Sequence, residues 1–305
     1  MRVLFVSSHN SNRGLSPIVK NQADSLANSG CTIEFYGIVG KGMRGYLSNI
    51  SALRRKLYEG KYDVVHAHYS FSGIISALAG AKPLVVSLMG SDIKSGFFGK
   101  VLVYFFKIFF WNAIIVKSTD SKNALNIEGL HVIPNGVNFH RFYPRDKTEC
   151  MNELSWDLKR RYILFAANPA RKEKNFKLAE EAFSLLDQNL FKLVYLRDVP
   201  NEKIPVYLNA ADVVILCSLW EGSPNVIKES LACNRPIVST DCGDVKELIS
   251  DINGCFVSGF NADEFSNFIL QASKYKHTLS RDRIGLLDSR VISKRIISIY
   301  NRLKN

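Results

Sequence analysis

One repeated pattern organises the chain: a short apolar run, then a loop, then an amphipathic helical segment. Runs of Val, Ile and Leu that alternate with helices predict parallel strands covered by helices on both faces. Helical segments include Ile18–Ser29, Lys177–Leu186 and Ala262–Tyr275. The candidate strands fall into two series, which are Arg2–Ser7, Thr32–Gly37, Val64–Ala67, Leu84–Leu88 and Ala113–Ser118, and then Tyr162–Ala167, Lys192–Leu196, Val213–Cys217, Pro236–Ser239 and Cys255–Val257.

Two series of strands predict an α/β protein with two doubly wound, Rossmann-like domains and a cleft between them, rather than one large sheet. With 305 residues and 47% apolar content, the chain can form two separate cores. A cluster of Pro, Asn and Gly followed by a charged stretch predicts a linker at 144–160, with domains at 1–148 and 149–287. The basic amphipathic segment 288–305 either caps the second domain or crosses back onto the first.

The formal net charge of +12 is concentrated in the first half, where residues 1–147 hold about 18 Lys and Arg against about 8 Asp and Glu. This excess either suits an anionic partner, such as a membrane surface, a nucleic acid or a phosphorylated substrate, or serves only solubility. The sequence contains no basic recognition helix or RNA-binding signature, so we expect no nucleic-acid partner.

The cysteines and the apolar runs favour a cytoplasmic protein. The six cysteines show neither C-x-x-C nor zinc-ligand spacing, as expected of reduced thiols in the cytosol. No run reaches the ~18–20 apolar residues that span a membrane, and the N-terminal run lacks a signal-peptide cleavage site. His66 and His68 share one face of a strand, but without a third ligand nearby we expect burial rather than metal binding.

Two loops of the first domain follow strand ends, where parallel sheets bind ligands. The first loop holds His9, Arg13 and Gly14 before a helix that begins near a Ser-Pro pair. Either the free N–H groups of this helix cradle an anion, or the helix is simply capped. In the second loop, MGSDIKSG, Asp92 either accepts a hydrogen bond from a substrate hydroxyl or caps the next helix.

The third loop, AANPARKEKNF, follows a strand of the second domain and carries Arg171, Lys172 and Lys174. Compact positive charge at a strand end is what a diphosphate leaving group requires. The alternative is a solvated run of charges.

The fourth loop continues into a helix and reads WEGSPNVIKESLACNRPIVSTDCGD. Glu221 lies in the loop, Ser223 is placed to cap the helix, and Pro224 occupies its first position. Glu229 follows inside the helix. Carboxylates accept paired hydrogen bonds from vicinal hydroxyls, and the helix N-terminus between the two acids favours phosphate. This element can therefore contact a sugar, a diphosphate and a ribose in order.

The spacing of Glu221 and Glu229 resembles the E-x7-E signature of retaining glycosyltransferases with the two-domain GT-B fold, family 4 type. The resemblance covers most of the chain. DVVHAHYSFSG is similar to the family's first-domain strand and loop, VIPNGVNFHRFYP to its interdomain segment, and YLNAADVVILCSLWEG to the approach to the signature. The segment from Glu221 onward is similar to members that build bacterial surface polysaccharides, such as the teichuronic acid glycosyltransferases.

The resemblance implies a role for each matched position. Glu229 would bind the ribose hydroxyls, and Glu221 would contact the donor sugar. Lys174 and Gly14 would lie against the diphosphate. Further donor contacts would come from backbone groups of Ser223, Pro224, Asn225 and Val226.

Two positions depart from the family pattern. Asn168 stands where an arginine is usual, and we expect Arg171 to substitute for it. Met89 stands where a histidine is common, so a polar contact to the sugar is missing or supplied elsewhere. The expected catalytic residues are Glu221, Lys174, Arg171 and Asp92, and the residues assigned to the acceptor side are His9, Arg13 and His68.

The resemblance implies a retaining transfer of a sugar from a nucleotide sugar, UDP by default, to a glycan or lipid-linked acceptor in bacterial surface polysaccharide synthesis. The resemblance also implies that neither a metal nor a cofactor is needed. Lys174, Arg171 and the helix N-terminus would then stabilise the charge that develops on the leaving diphosphate. Two alternatives remain open: a sugar-nucleotide epimerase of the same architecture, and a non-catalytic protein that binds sugar nucleotides.

The segment Phe97–Trp111, FFGKVLVYFFKIFFW, is apolar and aromatic except at Gly99, Lys100 and Lys107. It is either a core helix or a helix that lies on an anionic bilayer, aided by the basic first domain. The second alternative would bring the active site to a lipid-linked acceptor at the inner face of the plasma membrane.

Overall fold

The predicted strands all form, within one or two residues of their expected bounds, and they pair into two separate parallel sheets. The computed structural model describes residues 1–10, 14–89 and 96–304. Unit 1 contains Met1–Gly136 and the C-terminal segment from Ser289, and unit 2 contains Val137–Asp288. The prediction of two parallel-sheet α/β domains is confirmed.

The sheet of unit 1 is built from β1 (Arg2–Ser8), β2 (Thr32–Ile38), β3 (Val64–His68), β4 (Leu84–Ser87), β5 (Ala113–Val116) and β6 (His131–Val132). Its order is β2-β1-β3-β4-β5-β6, so β2 is added on one side of β1 and the later strands on the other side, which places the switch point of the sheet between β1 and β3. Doubly wound sheets bind ligands at such a switch point. The helices are α1 (Pro17–Ala27), α2 (Gly42–Leu47), α3 (Ile50–Gly60), α4 (Ser70–Leu78), α5 (Gly96–Phe109) and α6 (Thr119–Leu125).

The sheet of unit 2 contains β7 (Arg161–Phe165), β8 (Phe191–Tyr195), β9 (Val213–Leu216), β10 (Ile237–Thr240) and β11 (Cys255–Ser258) in the order β11-β10-β9-β7-β8. Its switch point lies between β7 and β9, which are neighbours at the centre of the sheet. The helices are α7 (Lys147–Glu153), α8 (Phe176–Ser184), α9 (Ile204–Ala210), α10 (Asn225–Ala232), α11 (Val245–Ile249) and α12 (Ala262–Ala272), with 3-10 turns at Lys172–Lys174, Asn201–Lys203 and Asp282–Leu287.

The boundary between the units lies at 136/137, earlier than the predicted limit of 148 and the predicted linker at 144–160. Val137 N donates a hydrogen bond to Leu287 O (2.8 Å), and the Phe142 side chain is buried in the core of unit 2. The apolar side chains that follow Gly136 therefore hold this segment in unit 2. Part of the predicted linker forms α7 (Lys147–Glu153), which Asp146 caps by accepting from Glu149 N (2.9 Å).

The C-terminal helix α13 (Ser289–Lys304) packs in unit 1, although it follows unit 2 along the chain. Ile292, Ile296 and Ile299 are buried in one cluster with side chains of α1, β1 and β3. The Tyr300 hydroxyl is fully buried and lies 2.5 Å from Nδ1 of His66. The helix is thus an integral part of the first core.

All six cysteines are buried and free. Burial raises the pKa of the Cys233 and Cys255 thiols to about 12, which keeps them protonated and unreactive at neutral pH. Among the described helices, none is both long enough and apolar enough to cross a membrane.

We expect Ile296→Ala to lower the free energy of unfolding of unit 1 by about 2–5 kcal/mol, because it leaves a cavity against the sheet. The exposed Lys294→Ala on the same helix should change it by less than about 0.5 kcal/mol. Denaturant titration followed by hydrogen exchange in β1 and β3 measures both effects. Equal stabilities for the two variants would contradict the assignment of α13 to the first core.

Candidate active site

The loops after β7 and β9 meet because their strands are neighbours in the sheet of unit 2. The first loop contains the 3-10 turn Lys172–Lys174, which ends at Asn175 in the left-handed region (φ 51°). Leu219 N in the second loop donates to Glu173 O in the first (2.9 Å). This backbone contact joins the predicted phosphate loop to the predicted sugar loop.

Lys174 and Glu221 form an ion pair between these loops. Lys174 Nζ donates to Glu221 Oε1, and the Ser218 hydroxyl donates to the same oxygen (2.8 Å). The two side chains are 12% and 18% exposed, so the pair is largely shielded from water but not sealed. The residues that the sequence assigned to the diphosphate and to the sugar therefore lie together.

Arg171 does not join this pair. Its side chain is 58% exposed, and its Nε donates to Glu173 Oε1 (2.7 Å). Asn168 has a local role, because its Oδ1 accepts from Ala170 N (2.9 Å) and its carbonyl accepts from Arg171 N (3.1 Å). Asn168 and Arg171 thus shape the turn, and Lys174 is the cation that faces Glu221.

The start of α10 differs from the predicted capping pattern. Pro224, rather than Ser223, precedes the helix in extended conformation (φ −69°, ψ 120°), and the helix begins at Asn225. The Ser223 hydroxyl forms no cap because it is engaged elsewhere: it donates to Asp244 Oδ2 (2.5 Å) and accepts from Lys228 Nζ (2.9 Å). The backbone at Asn225 and Val226 retains the positive end of the helix dipole beside Glu221.

Glu229 lies on α10 and is only partly exposed. No hydrogen bond from the described part of the chain ends on its carboxylate, which leaves both oxygens available as acceptors. Burial raises its pKa to about 7, while the nearby Arg141 and Lys228 act in the opposite direction. The site thus contains an acid that is partly protonated at neutral pH.

In unit 1, Arg13 and Asp92 lie outside the described residues. Gly14 has a φ of 66°, which suits glycine. His9 N donates to Ile38 O (2.9 Å), and the His9 ring packs so closely on Gly37 that a Cβ there would lie 2.3 Å from Nδ1. His9 is therefore placed by the end of β2.

His66 and His68 stack with ring centroids 4.5 Å apart. His66 bonds to Tyr300 and, through Nε2, to the Ser87 hydroxyl (2.8 Å). His68 is 2% exposed, and within the described ranges neither of its ring nitrogens has a hydrogen-bond partner. Burial, together with the charge of Lys117, lowers the pKa of His68 to about 3, so the ring is neutral. No cluster of metal-ligand type occurs among the described residues.

Sequence reasoning missed three residues near α10, namely Lys228, Asp244 and Arg141. Lys228 lies among buried neighbours on the helix, at a position where an apolar side chain is usual. A lysine on the apolar face of a predicted helix was the available signal. Asp244 and Arg141 come close only through tertiary contacts, so no local pattern indicates them.

We expect Glu229→Gln to stabilise unit 2 at pH 8 and not at pH 4. A carboxyl whose folded pKa exceeds 4.5 holds more protons in the folded state between pH 4.5 and 7, so stability falls as pH rises through that window. One pKa unit is about 1.4 kcal/mol, and partial exposure reduces the expected gain to on the order of 1–2 kcal/mol. Denaturant titrations at both pH values, with the exposed Glu181→Gln as control, measure this gain in the free energy of unfolding. A gain of equal size at pH 4 would contradict a raised pKa of Glu229.

Known proteins resemble this chain in both sequence and fold. The model of Glycosyltransferase Family 4 matches residues 20–141, and that of Glycosyl transferases group 1 matches residues 177–274. The putative teichuronic acid biosynthesis glycosyltransferase TuaC of Bacillus subtilis is 28% identical over 253 residues, which are 73% of this chain and 63% of that protein. The chain thus spans less than two thirds of that relative's length.

The UDP-Gal:alpha-D-GlcNAc-diphosphoundecaprenol alpha-1,3-galactosyltransferase of Escherichia coli is 26% identical over 307 residues, covering 85% of this chain and 76% of that enzyme. Anabaena Alr3699/HepE, solved in complex with UDP, superposes with a TM-score of 0.77 at 17% identity and covers 99% of this chain and 100% of its own. The two family models together cover most of the residues that form both sheets. The chain thus carries a Glycosyltransferase Family 4 domain and a Glycosyl transferases group 1 domain, and its fold is that of the GT-B glycosyltransferases.

Proposed function

We propose that this glycosyltransferase moves a sugar, with retention of configuration, from a UDP-sugar to a glycan or lipid-linked acceptor in the synthesis of a bacterial surface polysaccharide. The observation that carries the proposal is the Lys174–Glu221 pair at the N-terminus of α10, with Glu229 farther along the same helix. A cation for the diphosphate and an acceptor for the sugar thus lie together next to α10, which itself carries an acceptor for the ribose.

The relatives support the substrate classes. The Escherichia coli relative is named for UDP-Gal as donor and for a diphosphoundecaprenol-linked acceptor, and TuaC is named for teichuronic acid biosynthesis. HepE was solved with UDP. A cytoplasmic site of action follows from the proposal, because a sugar nucleotide and a lipid-linked acceptor meet at the inner face of the membrane.

In the proposed reaction, the bond between the sugar's anomeric carbon and the β-phosphate oxygen breaks. The acceptor hydroxyl bonds to that carbon on the same face, and its proton passes to the departing phosphate oxygen. Lys174 and the N-terminus of α10 stabilise the charge that develops on the diphosphate. The proposal assigns this charge to protein groups and uses neither a metal nor a cofactor.

Donor binding would rearrange the Lys174–Glu221 pair. A diphosphate that takes the Lys174 ammonium competes with Glu221, whose carboxylate then becomes free to accept from a sugar hydroxyl. Glu229 accepts from ribose hydroxyls best when ionised, so nucleotide affinity should rise as pH increases across 7.

A donor panel tests the proposal. UDP-, GDP-, ADP- and TDP-sugars are assayed for binding and for release of the nucleoside diphosphate, with Glu229→Ala as control. Selective binding of one donor that is lost in the variant, followed by NMR of the product's anomeric proton, supports it. Failure of every sugar nucleotide to bind would overturn it.

Lys174→Ala should lower kcat by at least about 10²-fold with the best donor of this panel, because one preorganised charge on the leaving group is lost. The matched control is Lys177→Ala, whose side chain is 83% exposed and pairs only with Glu181 among the described residues. Initial rates of nucleoside diphosphate release measure both variants. Near-wild-type turnover in Lys174→Ala would remove this lysine from the mechanism.

We further propose that α5 contacts an anionic bilayer. The helix buries Val103 and Phe106 but exposes most of its other large apolar side chains. These exposed side chains are Val101, Leu102, Tyr104, Phe105, Ile108 and Phe109, followed by Phe110. A contiguous apolar surface of this size on a basic unit suits an interfacial helix better than a core helix.

The double variant Ile108→Ser/Phe109→Ser should reduce flotation with vesicles of phosphatidylglycerol and phosphatidylcholine at low salt by at least about fivefold, since each large apolar side chain contributes about 1.5–3 kcal/mol when buried. Tyr58→Ser, at a side chain of unit 1 that is 86% exposed, is the control and should float like the wild type. A wild-type protein that ignores these vesicles would refute the membrane contact.

A further inference from the structure

A fully buried lysine lies beside the proposed ribose-binding acid. Lys228 on α10 is 0% exposed, and its Nζ donates to Ser223 Oγ (2.9 Å). Burial lowers its pKa to about 8. Burying an ammonium costs several kcal/mol, and a leucine or methionine of similar volume would pack without that cost. Packing alone therefore does not account for a lysine at this position.

The Lys228 ammonium determines the direction of the hydrogen bonds around Ser223. A protonated lysine only donates, so the Ser223 oxygen must accept from it. The Ser223 proton is then directed to Asp244 Oδ2, 2.5 Å away. Ser223 consequently approaches any ligand with its backbone, because its hydroxyl proton is already committed to Asp244.

Asp244 lies in the loop between β10 and α11, and its contacts anchor that loop to the loop of residues 221–224. Gly243 has a φ of 62°, and a Cβ at this residue would lie 2.6 Å from Gly222 O, so the backbones of the two loops are in direct contact. Asp244 Oδ1 is buried and has no hydrogen-bond partner among the described residues. The carboxylate is thus fixed largely by Ser223 and by the charge of Lys228.

The loop of residues 221–224 is therefore held at both ends. At its start, Glu221 is held by Lys174 and the Ser218 hydroxyl. At its end, Ser223 is held by Lys228 and Asp244. The first attachment is the one that the donor diphosphate would displace, whereas the second uses the Ser223 hydroxyl, which is already bonded to Asp244 and Lys228.

We propose that Lys228 is a positioning residue that, through Ser223 and Asp244, fixes the loop 221–224 and the start of α10 in the geometry that receives the donor's sugar and diphosphate. The inference rests on the proposed function for its effect on turnover. Because the attachment through Ser223 survives when the Lys174–Glu221 pair opens, the loop keeps its place during donor binding. A displacement of about 1 Å at a reacting centre can cost about 10²-fold in rate.

The proposal predicts different effects on the binding of the nucleoside and on the binding of the sugar and diphosphate. Glu229 holds the nucleoside from the body of α10, whereas the loop faces the sugar and diphosphate. Loosening the loop should therefore lower kcat with the sugar donor and leave the affinity for the nucleoside monophosphate unchanged. A residue that only stabilises the core would lower kcat and the affinity for the monophosphate to the same extent, or would change neither of them.

The test uses Lys228→Met and Ser223→Ala in the full chain, with Lys246→Met, an exposed lysine of α11, as control. Hydrogen exchange of the ligand-free protein should accelerate at least about tenfold in residues 218–226 and 241–246 in both test variants. Exchange in β7 and β9 should remain at the wild-type rate. Hydrogen exchange does not depend on activity. If Lys228→Met does not fold, Ser223→Ala still tests the inference, because it removes only a single oxygen atom.

With the best donor of the panel, kcat should fall at least about tenfold in both variants. The dissociation constant for the matching nucleoside monophosphate, UMP for a UDP-sugar, should change less than twofold in Ser223→Ala, which keeps the Lys228 charge that lowers the pKa of Glu229. The kcat of the double variant should be no lower than that of either single one. Unchanged loop exchange, or a loss of monophosphate affinity in Ser223→Ala equal to its loss of kcat, overturns the inference. If the wild type uses no sugar nucleotide, the proposed function fails, and the exchange rates alone decide the role of Lys228.

Discussion

The adjacency of β7 and β9 at the centre of the second sheet is the constraint on which the site depends. Parallel pairing brings the carboxyl ends of both strands to one edge, and the loops that leave them are joined by the bond from Leu219 N to Glu173 O. Only this arrangement lets Lys174 reach Glu221 across 47 positions of sequence. The ion pair is thus a consequence of strand order, and donor binding would act by competing for it.

Unit 2 carries charges that a purely stable fold would avoid. Lys228 is fully buried, and burial raises the pKa values of both Asp244 and Glu229. Each costs free energy of folding, and hydrophobic replacements of such groups are often neutral or stabilising. They gather around one loop and one helix N-terminus, where local departures from the rules of stability are expected to be functional. This clustering supports the proposal that the donor binds here.

Unit 1 depends on the last helix of the chain for its core and leaves another helix largely uncovered. The isoleucines of α13 are buried against one face of the sheet, so part of the first core comes from the segment that follows unit 2. On α5, by contrast, Val103 and Phe106 are buried while Phe105, Ile108 and Phe109 are exposed. The basic, amphipathic α13 buries its apolar stripe, whereas the much more apolar α5 leaves many of its apolar side chains exposed.

The sequence by itself determined the two parallel sheets, the strand bounds, and the spacing that marks Glu221, Glu229 and Lys174, because apolar periodicity and helix-start residues are local signals. The unit boundary at 136/137, the exposure of α5 and the partners of Ser223 and Lys228 were decided only by tertiary structure. A cap at Ser223 is the locally favoured arrangement, but Asp244 and Lys228 compete for its hydroxyl from other parts of the chain. Which partner a polar side chain takes depends on contacts distant in sequence, and no local pattern encodes them.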